Sequence, residues 1–421
     1  MAIQKVLIIG AGPCGLLLAL LLAKNGMTVE VLDKESRLDD SPRAAYYNWP
    51  AMVDLYRAGL GEDLRHEAWY ARSASWRTMQ NERLFGLKTD EEQEKELLEE
   101  EAKGRPRPAV LPLRDLMRMM QKHIEQQERV KLSFNHIVTG IGQDDSNAWV
   151  HAELIDGSAA KLAADYVVGC DGANSVIRRS LFGEKAFPGF TWPQTIVATN
   201  VYYDFYSHGC DDVNYFIDPE NGFLAAKLTD DNFWRVSYGD ITGLSEDEYR
   251  ERVAMKYESI LPGNPKPGDY KLMAARPYRC HQRLAEAMRV GRFLLAGDSA
   301  HLTNPFGGLG LTGGICDVGS LADCLTAIHR GQATADKILD VYNDVRRRIF
   351  SEIVNPTATE NMRLVYSDPA VAKESSTGKL FLQAEKDRDL ERSMRHAFDS
   401  MRYDFSPHFD LLAPNQPASH A

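Results

Sequence analysis

Three glycines and an aspartate near the start of the chain have the types and spacing to bind a dinucleotide. Gly10, Gly12 and Gly15 follow an apolar run at residues 6–9 and open a Leu/Ala-rich stretch; a second apolar run then ends at Asp33. Gly10 allows a sharp turn, Gly12 lets the backbone approach a pyrophosphate, and Gly15 lets helix and strand pack closely. The helix start would aim its unpaired N–H groups at phosphate, and Pro13 in the first turn sacrifices no needed donor. Asp33 stands about 20 residues beyond, where an acid accepts ribose hydroxyls. A glycine trio alone is a weak signal; set between two strands, with the acid in place, it is a strong one.

Two further stretches carry the same kind of chemistry. Residues 169–178 read Gly-Cys-Asp-Gly-Ala-Asn-Ser-Val-Ile-Arg. Residues 291–317 form a buried strand ending in Gly-Asp-Ser-Ala-His, followed by a Pro/Gly loop and a helix. There Asp298 is placed to bind a polyol hydroxyl. Gly307, Gly308, Gly310, Gly313 and Gly314 leave a side-chain-free surface beside a flat ring. The following helix start supplies N–H groups to an electron-rich carbonyl edge. Taken singly, Asp-Gly is a common turn and a glycine loop a tight connection; together and in this order they are more than either.

This ordered triple resembles the single-component flavoprotein aromatic hydroxylases, the para-hydroxybenzoate-hydroxylase-like class A monooxygenases, over most of residues 1–360. Pro-Tyr-Arg-Cys-His-Gln-Arg at 277–283 and Ala-Thr-Asn-Val-Tyr-Tyr-Asp at 198–204 make the resemblance strongest to a fungal branch. The resemblance implies bound FAD, transient use of NADPH or NADH, and a flavin C4a-hydroperoxide that passes oxygen to an electron-rich carbon. It places Asp33 on the adenosine ribose, and Arg43 and Arg114 near the pyrophosphate or ribityl chain. Asp298 would hold the ribityl or phosphate end, and Gly308, Gly310 and Leu311 would lie at the isoalloxazine. Asp171 and Arg178 fall in the motif tied to both FAD and nicotinamide, and Pro305 in the loop that presents a backbone carbonyl to a phenol. Two residues depart from the common pattern: Thr312 where many members have Asn, and Leu113 where many have Gln.

Substrate activation calls for a group that stabilises a phenolate or pairs with a carboxylate. Tyr203 and Tyr215 on expected strands, Arg235 beside Trp234, Tyr238, Tyr278 and His281 are the candidates, each with packing as its competing role. His301 reads as structural. Tyr46, Tyr47 and Trp49 are expected either to line the flavin side of a pocket or to pack in the core.

The elements that must position these groups follow from the hydrophobic pattern. Residues 3–33 form a βαβ unit, 90–103 an acidic solvated helix, 113–124 a helix, and 149–154 and 161–169 strands. From 194 to 238 short aromatic-rich segments (196–203, 213–217 and 233–238) alternate with Asp/Asn/Gly/Pro turns, which predicts an antiparallel sheet. The expected fold is α/β: a Rossmann-like FAD-binding domain with an inserted antiparallel substrate domain and C-terminal helices. The expected divisions are 1–185 (with an excursion at about 70–108), 186–275, 276–360 and a helical tail at 361–421.

Composition narrows the partners. A net charge of −11 opposes nucleic acid and anionic membrane as partners. The apolar run at 16–23 is too short for a membrane anchor. The six cysteines show no CxxC pair or metal-ligand spacing, and read as reduced thiols in a cytoplasmic protein. A small aromatic substrate and O2 are the implied partners, with homodimer formation left open. Rival readings are an epoxidase or N-hydroxylase on the same scaffold, a non-catalytic FAD-binding protein, and a flavin-free dehydrogenase. A halogenase fits poorly, because Trp234 is followed by Arg-Val-Ser.

Overall fold

The computed structural model describes residues 2–39, 41 and 44–409. Its cofactor-side sheet has six strands among the described residues, in the order Arg289–Val290, Phe293–Leu295, Tyr166–Gly169, Lys5–Ile9, Thr28–Leu32 and Val130–Ser133. All pairings are parallel except that of the two-residue edge strand. The register aligns the strand ends: Ile9 lies beside both Leu32 and Gly169, and Gly169 beside Leu295. The loops beginning at Gly10, Asp33, Cys170 and Ala296 therefore leave the sheet in one row, at the carboxyl edge where open α/β sheets bind ligands.

The first helix, Pro13–Lys24, is buried along nearly its whole length. It is therefore apolar on all sides, as a core helix must be. Gly310–His329, the one helix among the described residues long and apolar enough to cross a membrane, is likewise mostly buried within the protein. The two helices meet near their N-terminal ends, where the Cys14 thiol of one lies against Gly314 of the other. A Cβ on Gly297 would lie 2.6 Å from the Cys14 thiol, and one on Gly314 would lie 2.9 Å from it. Gly15 meets the Gly10 carbonyl so closely that a Cβ would sit 1.9 Å from its oxygen.

A second sheet of eight strands runs His301–Leu302, Lys271–Leu284, Gly189–Tyr202, Phe233–Asp240, Phe223–Thr229, Val213–Ile217, Ser73–Thr78 and Arg83–Lys88. The antiparallel segments predicted between 194 and 238 are its centre. The excursion near 70–108 supplies its last two strands, and Ser73–Thr78 pairs parallel with Val213–Ile217. The strand Lys271–Leu284 crosses the expected division at 275, and the helix Asn355–Val365 crosses the one at 360. One face of this sheet is covered by the helix Glu246–Ile260, whose Tyr249, Val253 and Tyr257 pack with Trp234, Val236 and Tyr238. The other face, with Tyr215, Leu224 and Tyr278, turns toward Phe306 of the Pro/Gly loop.

One expected strand is two. Residues 159–164 belong to a three-stranded antiparallel sheet and Tyr166–Gly169 to the parallel one. The break falls at Asp165, whose carboxylate accepts the backbone N–H groups of Gln4 and Lys5 at 2.7 and 2.8 Å. The acidic segment forms the helix Glu91–Ala102, started by a capping box at Asp90. All six cysteines are buried thiols.

A buried ion cluster ties the third motif to the rest of the core. Asp317 accepts from Gly297 N–H at 3.0 Å, His301 Nε2 at 2.7 Å and Arg346 Nε at 2.7 Å. Arg346 also donates to the carbonyls of Met401 and Gly313. Burial works against the charge on Asp317, but His301 and Arg346 outweigh it and hold the carboxyl below its ordinary range. Breaking such a buried pair from one side leaves the other charge unpaired, at a cost of about 3–5 kcal/mol. Arg346→Met should accordingly lower the unfolding free energy by about that amount in urea titrations, the range measured for such breaks.

Candidate active site

The first motif is a glycine turn that runs into an uncapped helix start. Gly10 has φ +107° and donates its N–H to Leu32 O at 2.7 Å. A Cβ there would lie 2.3 Å from Cys170 O, which makes glycine obligatory. Gly12 caps the helix Pro13–Lys24 with no side-chain acceptor, and a Cβ on it would meet nothing within 4 Å. That space is open to a ligand, and the helix has no acid in its first turn to compete for it. Asp33 accepts from Ala11 N–H at 2.6 Å and from Glu35 N–H at 2.8 Å, which fixes its carboxylate at the end of its strand.

The second motif braces the third. Asp171 Oδ2 accepts the Val176 and Ile177 N–H groups at 2.7 and 3.2 Å, at the start of the helix Val176–Phe182. Burial pushes its carboxyl upward, against hydrogen bonds from Ser175 and the helix backbone. Arg178 donates to Ser299 O at 2.9 Å and Ala173 O at 2.7 Å, and stacks on Phe187. It thus reaches from one motif into the turn Gly297–Ser299, which presents Asp298 at the surface. His301, in its pair with Asp317, belongs to that framework. Arg114 is half-exposed and pairs with Asp115 at 3.3 Å. Arg43 lies outside the described residues. Leu113 and Thr312, the departures from the common pattern, are both buried.

The third motif faces the second sheet, whose Tyr215, Leu224 and Tyr278 turn toward Phe306; the junction of loop and sheet is the candidate cleft. Pro305–Gly307 is a short turn closed by Gly308 at φ +63°, and Gly310–His329 begins with no side-chain cap and no acid in its first turn. Tyr46 stands beside Gly308, with ring carbon Cδ1 3.9 Å from where a Cβ would be. It keeps 38% of its surface accessible, yet burial pushes its hydroxyl up to about 12. Tyr47, its neighbour, is fully buried and donates to Leu111 O, so it is core.

On the opposite wall, Tyr215 stacks on Trp76 with ring centroids 4.8 Å apart and donates to Phe306 O at 3.3 Å. Burial raises its hydroxyl pKa, and so does nearby Tyr46. Arg235 donates Nε to Asn200 Oδ1 at 2.6 Å, its partner directly across the strands. Burial lowers its guanidinium to about 10, with Tyr278 acting in the opposite sense. Tyr278 is raised by burial and shares this wall. Trp76 and Asn200 were not singled out from sequence. Asn200 meets Arg235 only through the register of two paired strands, which alternation within either strand does not reveal.

Tyr203 is a correction. It follows the strand Gly189–Tyr202 and packs on the far side of the sheet, beneath the helix Glu246–Ile260. Its hydroxyl is engaged by Pro262 O and His208 Nε2. Tyr238 shares that far face. His281 bonds Thr191 Oγ1 at 2.8 Å, away from the Tyr215–Arg235 wall.

The chemistry of these groups suits FAD. Two uncapped helix starts and an open glycine approach supply donors, and acids at two strand ends supply acceptors, as a dinucleotide requires. Thr303 Oγ1, buried without a hydrogen-bond partner among the described residues, lies beside Gly310 at the same cleft.

Comparison with known proteins agrees. A family model described as "FAD binding domain" matches residues 4–357. The chain belongs to that family. Its relatives there are single-component FAD-dependent aromatic monooxygenases, and it is a flavoprotein monooxygenase of the same kind. Para-nitrophenol 4-monooxygenase of a Pseudomonas strain is 36% identical over 391 residues, covering 93% of this chain and 94% of the relative. The 6-hydroxy-3-succinoylpyridine 3-monooxygenase of Pseudomonas putida is 35% identical, with 86% and 89% covered. The crystal structure of p-nitrophenol 4-monooxygenase from Pseudomonas putida superposes with a TM-score of 0.85 at 36% identity, covering 95% of this chain and 99% of that one. Aklavinone-11 hydroxylase in complex with FAD and aklavinone, 23% identical, shares the fold with a TM-score of 0.72, over 89% of this chain and 71% of that one. These relatives do not support the fungal branch suggested by the sequence; the two compared over their sequences are from Pseudomonas.

Asp298→Ala should weaken FAD binding at least tenfold, the effect expected from losing one charge-assisted contact of about 1.5–3 kcal/mol. Fluorescence titration of the deflavinated protein checks it; wild-type affinity would remove Asp298 from the cofactor site.

Proposed function

We propose that this flavoprotein hydroxylates a small phenol or hydroxylated heteroaromatic ring, using NADPH or NADH as reductant. FAD, once reduced by the nicotinamide, supplies the oxygen-activating chemistry. The balance is one O2, one NAD(P)H and one proton consumed; one oxygen atom enters the ring and the other leaves as water. Asp33, Asp298 and the backbone at Gly12, Gly308, Gly310 and Leu311 would hold the cofactor, with Arg43 and Arg114 assigned to its pyrophosphate or ribityl chain by the family resemblance alone. Asp171 and Arg178 would keep the second and third loops in register with it.

The observation that carries the reading is the wall formed by Arg235, Tyr215 and Tyr278 across from the Pro/Gly loop. A guanidinium held in a buried setting attracts an anion more strongly than it would in water. It would bind the phenolate oxygen or an anionic ring substituent, while the tyrosine hydroxyls donate hydrogen bonds. Phenolate character raises electron density on the ring carbon that is attacked. Pro305 stands at the turn where a backbone carbonyl can face the phenol. The relatives' names, a nitrophenol and a hydroxypyridine, are of the same chemical class.

A panel of substituted phenols and hydroxypyridines tests the reading by NAD(P)H oxidation and product mass. At least one should stimulate oxidation and gain a single oxygen atom; a panel that stimulates nothing contradicts the proposal. Arg235→Met should raise KM for the responsive phenol roughly tenfold or more, as loss of a charged hydrogen bond does, with FAD still bound. Burial pushes the Arg235 guanidinium down to about 10, and a bound anion acts in the opposite direction, so the binding it supports should hold from neutral pH and weaken only in more alkaline solution.

A further inference from the structure

The carbonyl of Phe306 has two donors, one from each side of the cleft. Tyr215 reaches it from the sheet wall at 3.3 Å, and Asn361 Nδ2 from the C-terminal helix Asn355–Val365 at 3.2 Å. That helix fixes the whole turn. Asn304 donates Nδ2 to Ala358 O at 2.8 Å, and a Cβ on Gly307 would lie 2.8 Å from the Ala358 Cα. Gln282 closes the other side, accepting Asn304 N–H at 2.7 Å and donating to Asn355 Oδ1 at 2.9 Å. A five-residue π turn, Phe350–Val354, leads into this helix, a geometry frequent at functional sites.

A buried carbonyl left without a donor costs desolvation energy, whereas one with two donors can release one of them cheaply. We propose that Asn361 is a positioning residue that frees Tyr215: it keeps the Phe306 carbonyl satisfied, so the Tyr215 hydroxyl can turn and donate to the substrate's phenol oxygen. The long Tyr215 bond suits a donor that exchanges partners, since hydroxyl bonds ordinarily run near 2.7–2.8 Å. The inference rests on the phenol reading above and adds a residue beyond the stretch matched by the family model, which ends at 357.

The test is binding of a responsive phenol to the oxidised holoenzyme, followed by the change in flavin absorbance. Asn361→Leu keeps the side-chain size and removes the donor. It should raise the phenol Kd about fivefold, the scale of one hydrogen bond, while FAD affinity and melting temperature stay at wild-type values. Asn361→Gln, which restores an amide donor, should recover most of the loss. In a Tyr215→Phe background, Asn361→Leu should add no further loss of phenol affinity, because its effect passes through Tyr215. Additive losses, an unchanged Kd, or a loss of FAD in step with phenol would overturn the inference. A wild-type holoenzyme that binds and oxidises no phenol would instead overturn the function on which it rests.

Discussion

The structure depends on close approach without side chains at the carboxyl edge of the parallel sheet. Register brings the ends of four strands level, and the loops that follow them must then share a space too small for ordinary residues. Gly10 lies against Cys170 O, Gly15 against Gly10 O, and Gly297 and Gly314 against the Cys14 thiol. A methyl group at any of these points would overlap backbone or buried sulfur. The same contacts that close the core leave Gly12 facing open space. The ligand approach thus lies beside the tightest packing: Gly12 stays open next to glycines that are closed by backbone and sulfur.

From that edge, polar bonds carry the arrangement outward. Arg178 joins the second motif to Ser299, and Asp317 joins Gly297 to His301 and Arg346. Arg346 then reaches Met401, and Asn304 reaches Ala358, so the C-terminal segments hold the Pro/Gly loop from behind. On its front, the loop meets a sheet whose two faces have divided labour. One is sealed by an aromatic core under the helix Glu246–Ile260. The other presents Tyr215, Arg235 and Tyr278 to the cleft.

The cofactor side was legible in the sequence because each of its motifs is local. A glycine trio after a strand, an acid at the end of the next, and Gly-Asp before a glycine loop are short patterns of residue type and spacing, readable even though the contacts that require the glycines come from distant segments. The sheet was legible in kind, from alternation and turn residues. Which face of it carries a given side chain was not. Tyr203 and Tyr215 look alike in sequence, and only the pairing of distant strands sends one to the core and the other to the cleft. Pairing of Ser73–Thr78 with Val213–Ile217, which brings Trp76 under Tyr215, is equally non-local. Asp165 broke an apparently continuous strand because its carboxylate caps backbone 160 residues away. Asn361 gave no signal at all, since an isolated amide on a polar helix looks like solvent-facing surface.

The central claim, that three distant segments form one flavin cradle, is tested most directly by the flavin content of the purified protein. FAD released by denaturation, quantified by absorbance against chain concentration, should approach one per chain. It should fall to near zero in Gly12→Val, whose new side chain would fill the open approach while the fold, followed by circular dichroism, persists. A wild-type protein that stays colourless after incubation with FAD, or a Gly12→Val protein as yellow as wild type, would contradict the account.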